Sequence, residues 1–225
     1  MFSDLARKST ETGVTRVARV VAATGLTPNA VTLIGVAMMF GIGWVIAQGH
    51  LVLSGFLIIF ASLFDALDGS LARYTNRVTK FGGFLDSVTD RYAELAIFAG
   101  LQHYLLFKKG YDTQLIVYLT LAALFGSVMV SYNRARAEGL GFECKGGWFS
   151  RFERLVVIIA SLILSHWFGD KSVFAMLVIM GVFTNITAVQ RIMLVKQADD
   201  QERERAATRI NPNANSNGNG SAASK

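Results

Sequence analysis

Four aspartates, Asp65, Asp68, Asp86 and Asp90, stand in the stretch DALDGSLARYTNRVTKFGGFLDSVTD, flanked by the apolar runs LVLSGFLIIFASLF and LAIFAGL. Asp65 and Asp68 are three residues apart, Asp86 and Asp90 four apart, and either spacing places a pair on one helix face. Residues 73–81 between the pairs are short and polar enough for a turn, so two antiparallel helices can present all four carboxylates to a common point. An aspartate at the centre of a membrane span costs about 2.5 to 3.5 kcal/mol, and four together repel one another. Bound cation offsets both costs. The available ligands are carboxylate oxygens with no Cys or His nearby, which favours Mg²⁺ or Mn²⁺ and argues against Zn²⁺. Four carboxylates suit two ions clamping the two sides of a phosphoryl displacement.

Small and phosphate-seeking residues lie between the acids. Gly69 and Ala72 leave room against the helix beside Asp68. Arg73 offers a planar fork matched to phosphate, and Thr79 can donate to a phosphate from the turn. Gly82 and Gly83 allow close approach of the two helices. The competing reading of these positions is small-residue helix packing with an arginine at the membrane boundary.

The elements that must position these groups are apolar helices. Runs at 30–48, 51–64 and onward, 95–107 with its preceding turns, 114–132, 155–168 and 173–195 approach or reach the roughly 20 residues a span needs. The second and third reach that length only by including the aspartate stretch, and the fifth by including residues 149–154. The expected fold is therefore an all-α integral membrane domain of six transmembrane helices over residues 25–196. Residues 1–24 read as an amphipathic helix, with Val14, Val17, Val20 and Val21 opposite the arginines. It lies in the membrane interface or on the protein's own surface, and it lacks the continuous apolar stretch of a cleavable signal. Residues 197–225 read as a disordered cytoplasmic tail ending in NPNANSNGNGSAASK.

Of 22 lysines and arginines, only Lys108, Lys109 and Lys171 fall on the side opposite the acids. That asymmetry puts both termini in the cytoplasm. The formal charge of +6 is thus a topology signal, and its division among four membrane-flanking segments argues against nucleic-acid binding. The single Cys144 excludes an intrachain disulfide. His50, His103 and His166 are scattered near the outer ends of the spans and read as interfacial residues.

Asp65-x2-Asp68-Gly69-x2-Ala72-Arg73-x8-Gly82-x3-Asp86-x3-Asp90 resembles the signature of the CDP-alcohol phosphotransferase family, with every fixed position and gap in agreement. The resemblance implies a six-helix membrane fold, a homodimer and an active site at the cytoplasmic face, here of a prokaryotic plasma membrane. It implies that a CDP-linked lipid, CDP-diacylglycerol, binds with its pyrophosphate on two metal ions, and that an alcohol attacks the lipid-side phosphorus and releases CMP. By the same resemblance Asp65, Asp68, Asp86 and Asp90 hold the metals, and Asp90 is also the catalytic base. Gly69, Ala72, Arg73 and Thr79 then form part of the CDP-lipid site. The stretch GLTPNAVTLIG resembles the segment that opens the family's first span, which adds Pro28, Asn29, Ala30 and Val31 to that site.

The acceptor is addressed by SYNRARAEGLGFECKGGWFSRFERLVV. Ser131, Arg134, Arg136, Lys145, Arg151 and Arg154 gather around one cytoplasmic connection, and guanidinium groups there favour a phosphorylated alcohol. Some of these charges also serve topology. The stretch looks like the phosphatidylinositol-phosphate synthase branch, which uses inositol phosphate. It departs from that branch where Ser150-Arg151-Phe152-Glu153-Arg154 replaces the expected ERPER, so glycerol 3-phosphate stays open as the acceptor. A cation transporter and a scaffolding protein are the readings from other classes. Acids near one face, with Arg73 beside them, fit neither.

Overall fold

The computed structural model describes residues 22–23, 25–144 and 146–210, with the side chains of 66 and 208–210 left aside. The expected amphipathic helix over 1–24 lies almost wholly outside these residues. Among those described there are six long helices and no strand: α1 (Pro28–Ala47), α2 (Leu51–Tyr74), α3 (Lys80–His103), α4 (Thr113–Gly139), α5 (Arg151–Phe168) and α6 (Asp170–Ile210).

Local chemistry sets the helix ends. Pro28 opens α1 behind the N-cap Thr27, whose hydroxyl accepts from the Ala30 amide; proline at this position forfeits no helical hydrogen bond. Thr79 caps α3 by accepting from Gly82 N at 2.9 Å. Asp112 caps α4 by accepting from Leu115 N at 2.8 Å. The α2–α3 turn passes through Asn76 with φ 54°, a conformation asparagine tolerates. The link from α5 to α6 is the single residue Gly169, at φ 63°.

Four helices are long and apolar enough to cross a bilayer: α1, α2, α4 and α6. The chain is therefore an integral membrane protein. Among the described residues α3 and α5 fall short of that standard, because they carry the charged residues of one end of the bundle. The six-span expectation is thus met in helix number and not in apolarity. Outward faces carry exposed Phe40, Trp44, Phe56, Phe60 and Phe125, as a lipid solvent requires. The core is built from Ile46, Ile58, Phe98, Leu101, Leu162 and Met180, all fully buried. A Cβ on Gly43 would strike the Ala96 carbonyl, and one on Gly100 the Gly43 carbonyl. Glycine there lets α1 and α3 meet backbone to backbone.

The expected tail needs correction. α6 has 41 residues, about 60 Å at 1.5 Å per residue, so it outruns the bilayer. It continues past Lys196 as an exposed polar helix to Ile210. Residues there are rich in Ala, Gln, Glu and Arg, all good helix formers, and Asp199 pairs with Arg203 at 2.9 Å. Residues 211–225 lie outside the described set.

At the end of the bundle away from the acids, Tyr111 donates to Asp170 Oδ2 at 2.5 Å and stacks on Phe174. Lys109 approaches Asp170 at 3.4 Å. These contacts fasten the α3–α4 link to the start of α6. The hydrogen bond to Asp170 pushes the Tyr111 phenol up to about 12, above its ordinary value of about 10. Stabilisation from a raised group is complete below the ordinary value and is lost as pH climbs through the raised one. Tyr111→Phe should therefore lower stability in detergent by about 1 kcal/mol at pH 7. The difference from the unsubstituted protein should close between pH 10 and 12 in thermal unfolding.

Candidate active site

Helices that alternate in direction bring six ends together: the starts of α1, α3 and α5, the last turns of α2 and α4, and the second half of α6. Every candidate residue of known position lies at this end. One carboxylate oxygen each from Asp65, Asp68 and Asp86 lie within 4.8 Å of one another. The i,i+3 pair of α2 and the upper acid of α3 thus converge as their spacing requires. The donor set is oxygen alone, which fits a hard divalent cation such as Mg²⁺ or Mn²⁺. Thr32 of α1 donates to Asp68 Oδ2 at 2.6 Å.

Asp90 lies one turn deeper on α3, 8% exposed. Its carboxylate is outside the three-acid group and pairs with Arg151, and with Arg91 at 3.4 Å. Arg151 also reaches Asp65 Oδ2 at 3.0 Å. This guanidinium, from the first residue of α5, therefore ties the trio to the fourth acid.

The residues expected at the CDP-lipid end surround the same mouth. Pro28, Asn29 and Ala30 form the first turn of α1. A Cβ on Gly82 would lie 3.1 Å from Thr79 Oγ1 and 3.4 Å from Asn29 Oδ1, so these three positions adjoin. The exposed Arg73 donates to Ser70 Oγ at 3.1 Å and runs beside Gly69, with Ala72 partly exposed next to it. Val31 is a correction: it is 3% exposed and packs against the fully buried Leu71. Its side chain joins α1 to α2 and does not face the mouth.

An open cleft of about 1320 Å³ adjoins the acids, lined among others by Asp90, Ser131, Arg134, Arg151, Arg154 and Arg191. Arg136 is a second correction. It is exposed and is not among the residues lining the cleft, because residues two apart on a helix do not share a face. Lys145 lies outside the described residues. Arg134 is exposed and pairs with Glu138 at 2.8 Å.

Arg154 differs from Arg134 and Arg151 in burial, being 1% exposed. Its Nη2 donates to Glu94 Oε1 at 2.9 Å and lies 3.4 Å from Ser131 Oγ. Glu94 Oε2 accepts from Ser127 at 2.9 Å and approaches Arg91 at 3.8 Å. Glu94 escaped the sequence reading although it continues the face of Asp86 and Asp90 by another four residues. Thr32, four residues after Pro28, also escaped it. Arg191 read as a topology charge; it is buried and bonds the carbonyls of Val130 and, at 3.1 Å, Gly146. A lone arginine in an apolar run is the signal that marks it.

Comparison with known proteins adds to this geometry. The sequence model of the CDP-alcohol phosphatidyltransferase family matches residues 25–201. A phosphatidylinositol phosphate synthase of Mycobacteroides abscessus is 34% identical over 174 residues, 76% of this chain and 78% of that protein. The crystal structure of Mycobacterium tuberculosis phosphatidylinositol phosphate synthase with CDP-DAG bound superposes with TM-score 0.75 at 33% identity, covering 81% of this chain and 92% of that one. The same enzyme in complex with manganese and citrate gives TM-score 0.75 at 32% identity, with 81% and 88% covered.

Removing one member of a buried ion pair strands the other, whereas removing both does not. Glu94→Leu should cost about 3 kcal/mol of stability in detergent. Glu94→Leu combined with Arg154→Leu should recover most of that loss. A double variant no more stable than Glu94→Leu alone would show that a stranded Arg154 is not the source of the loss.

Proposed function

The chain belongs to the CDP-alcohol phosphatidyltransferase family, and we propose that it transfers a phosphatidyl group from CDP-diacylglycerol to inositol phosphate, releasing CMP. The observation that carries this reading is one cleft with two kinds of charge. Its lining holds Asp65, one of the three converging carboxylates, with Asp90, and also Arg134, Arg151 and Arg154. The first suits a metal-bound diphosphate; the second suits a phosphorylated acceptor. The likeness to phosphatidylinositol phosphate synthases supports the choice of inositol phosphate.

Asp65, Asp68, Asp86 and Asp90 would hold two ions, Mg²⁺ or Mn²⁺. Bound there, the ions neutralise charge on the pyrophosphate so that a hydroxyl can approach an anion. Pro28, Asn29, Ala30, Gly69, Ala72, Arg73 and Thr79 enclose the CDP part. Thr79 keeps its hydroxyl proton for a phosphate, because its oxygen is what accepts from Gly82 N. Asp90 takes the proton of the attacking hydroxyl on a carboxylate oxygen. The new bond forms at the phosphorus that carries diacylglycerol, and the bond to CMP breaks with its electron pair leaving on CMP. Arg151 holds Asp90 in place. Arg151, Arg134 and Ser131 receive the acceptor's phosphate, and Arg154 backs them from the interior.

In this reading all six helices cross a prokaryotic plasma membrane, with both termini and the cleft on the cytoplasmic side, as the basic residues favour. Two copies associate as in the family the sequence resembles.

Purified protein should release CMP from CDP-diacylglycerol only with Mg²⁺ or Mn²⁺, fastest with inositol phosphate in a panel with glycerol 3-phosphate, inositol and serine. No release with any acceptor would reject the enzyme reading, and a preference for glycerol 3-phosphate would reassign the acceptor. Asp90→Asn should abolish turnover while CDP-lipid binding persists. Arg134→Ala should raise KM for inositol phosphate roughly tenfold, the loss expected for one charged hydrogen bond, with KM for CDP-diacylglycerol unchanged.

A further inference from the structure

We infer that Thr32 is a positioning residue for the metal centre, its hydroxyl fixing the rotation of the Asp68 carboxylate that stands with Asp65 and Asp86. The inference rests on the metal reading of the proposed function. Thr32 is 9% exposed and lies on α1, a helix that contributes no carboxylate. Two acceptors lie near its hydroxyl: Pro28 O at 3.2 Å and Asp68 Oδ2 at 2.6 Å. A threonine in a helix commonly donates to the carbonyl four residues back. A hydroxyl has one proton, however, and the shorter distance assigns it to the carboxylate.

The contact crosses from one helix to another over 36 residues of sequence. It engages one oxygen of Asp68, Oδ2. Groups that hold a ligating carboxylate in this way set metal affinity, and losing one typically weakens binding by 10- to 100-fold. Thr32 also sits one turn after Pro28 and Asn29, the segment proposed to meet the nucleotide. One side chain therefore links the donor-binding turn to the metal ligands.

Mn²⁺ binding to the full chain in detergent, followed by electron paramagnetic resonance without substrate, tests this directly. Thr32→Val keeps the shape and removes the donor, and should weaken Mn²⁺ binding about tenfold. Thr32→Ser restores the donor and should bind within about twofold of the unsubstituted protein. At limiting Mn²⁺, kcat/KM for CDP-diacylglycerol should fall in the valine variant and return at saturating Mn²⁺, a rescue that a packing defect would not show. If Thr32→Val does not accumulate in folded form, Thr32→Ala removes the same donor without a methyl against the carboxylate. Unchanged Mn²⁺ affinity in the donor-less variant, or equal loss in the serine variant, overturns the role of Thr32. Absence of Mn²⁺ binding by the unsubstituted protein overturns the metal reading itself.

Discussion

Repulsion among carboxylates gathered at one end of an apolar bundle is the constraint on which the other features depend. Three acid oxygens lie within 4.8 Å of one another. At an effective dielectric of about 20, each such pair opposes the fold by roughly 3 to 4 kcal/mol. The chain's own answers are partial. Arg151 faces Asp65 and Asp90, Arg91 faces Asp90, and the Thr32 hydroxyl faces Asp68. A single arginine shared by two acids leaves the cluster net negative. A divalent cation meets that deficit with more charge in less space than any further side chain could. The chain of reasoning from charge to metal to diphosphate starts there.

The arginines around the cleft divide by burial. Arg154 is enclosed and matched by Glu94, so its charge is balanced within the protein. Arg191 is enclosed too, and its donors are taken by backbone carbonyls of α4 and of the segment before α5. Arg191 thus ties the segment that precedes Arg151 to α4. Arg134 and Arg151 keep solvent-facing surface. Only charges of the second kind can be given to a phosphate at low desolvation cost. Positive charge in the sequence thus became two separate devices, an interior frame and an exposed wall of the cleft.

What was legible in the sequence was local. Asp65 with Asp68, and Asp86 with Asp90, obey helical spacing, and the short polar turn between them dictates an antiparallel hairpin. Pro28 marked the start of α1 for a backbone reason that holds in any context. What stayed hidden depends on how helices rotate and cross. Nothing in the sequence says that Val31 turns inward to Leu71 or that Arg136 leaves the cleft that Arg134 lines. Glu94 was visible by periodicity, yet its value came only from Arg154, 60 residues away. The end of α6 was misread because polarity was taken for disorder, when the propensities of residues 197–210 and the Asp199–Arg203 pair favour helix.

α1 explains why the acids can be held so close. It touches α3 through backbone at Gly43, Ala96 and Gly100, where no side chain intervenes to slide or repack. It touches α2 through Thr32 and Asp68, and through Val31 and Leu71. A single helix therefore fixes the spacing between the two that carry the acid cluster. Repulsion pushes α2 and α3 apart at the mouth, and α1 bridges them. The same helix begins with the turn proposed for the nucleotide. A ligand gripping that turn and the acids together would be held by one rigid element, with no loop needed to close over it.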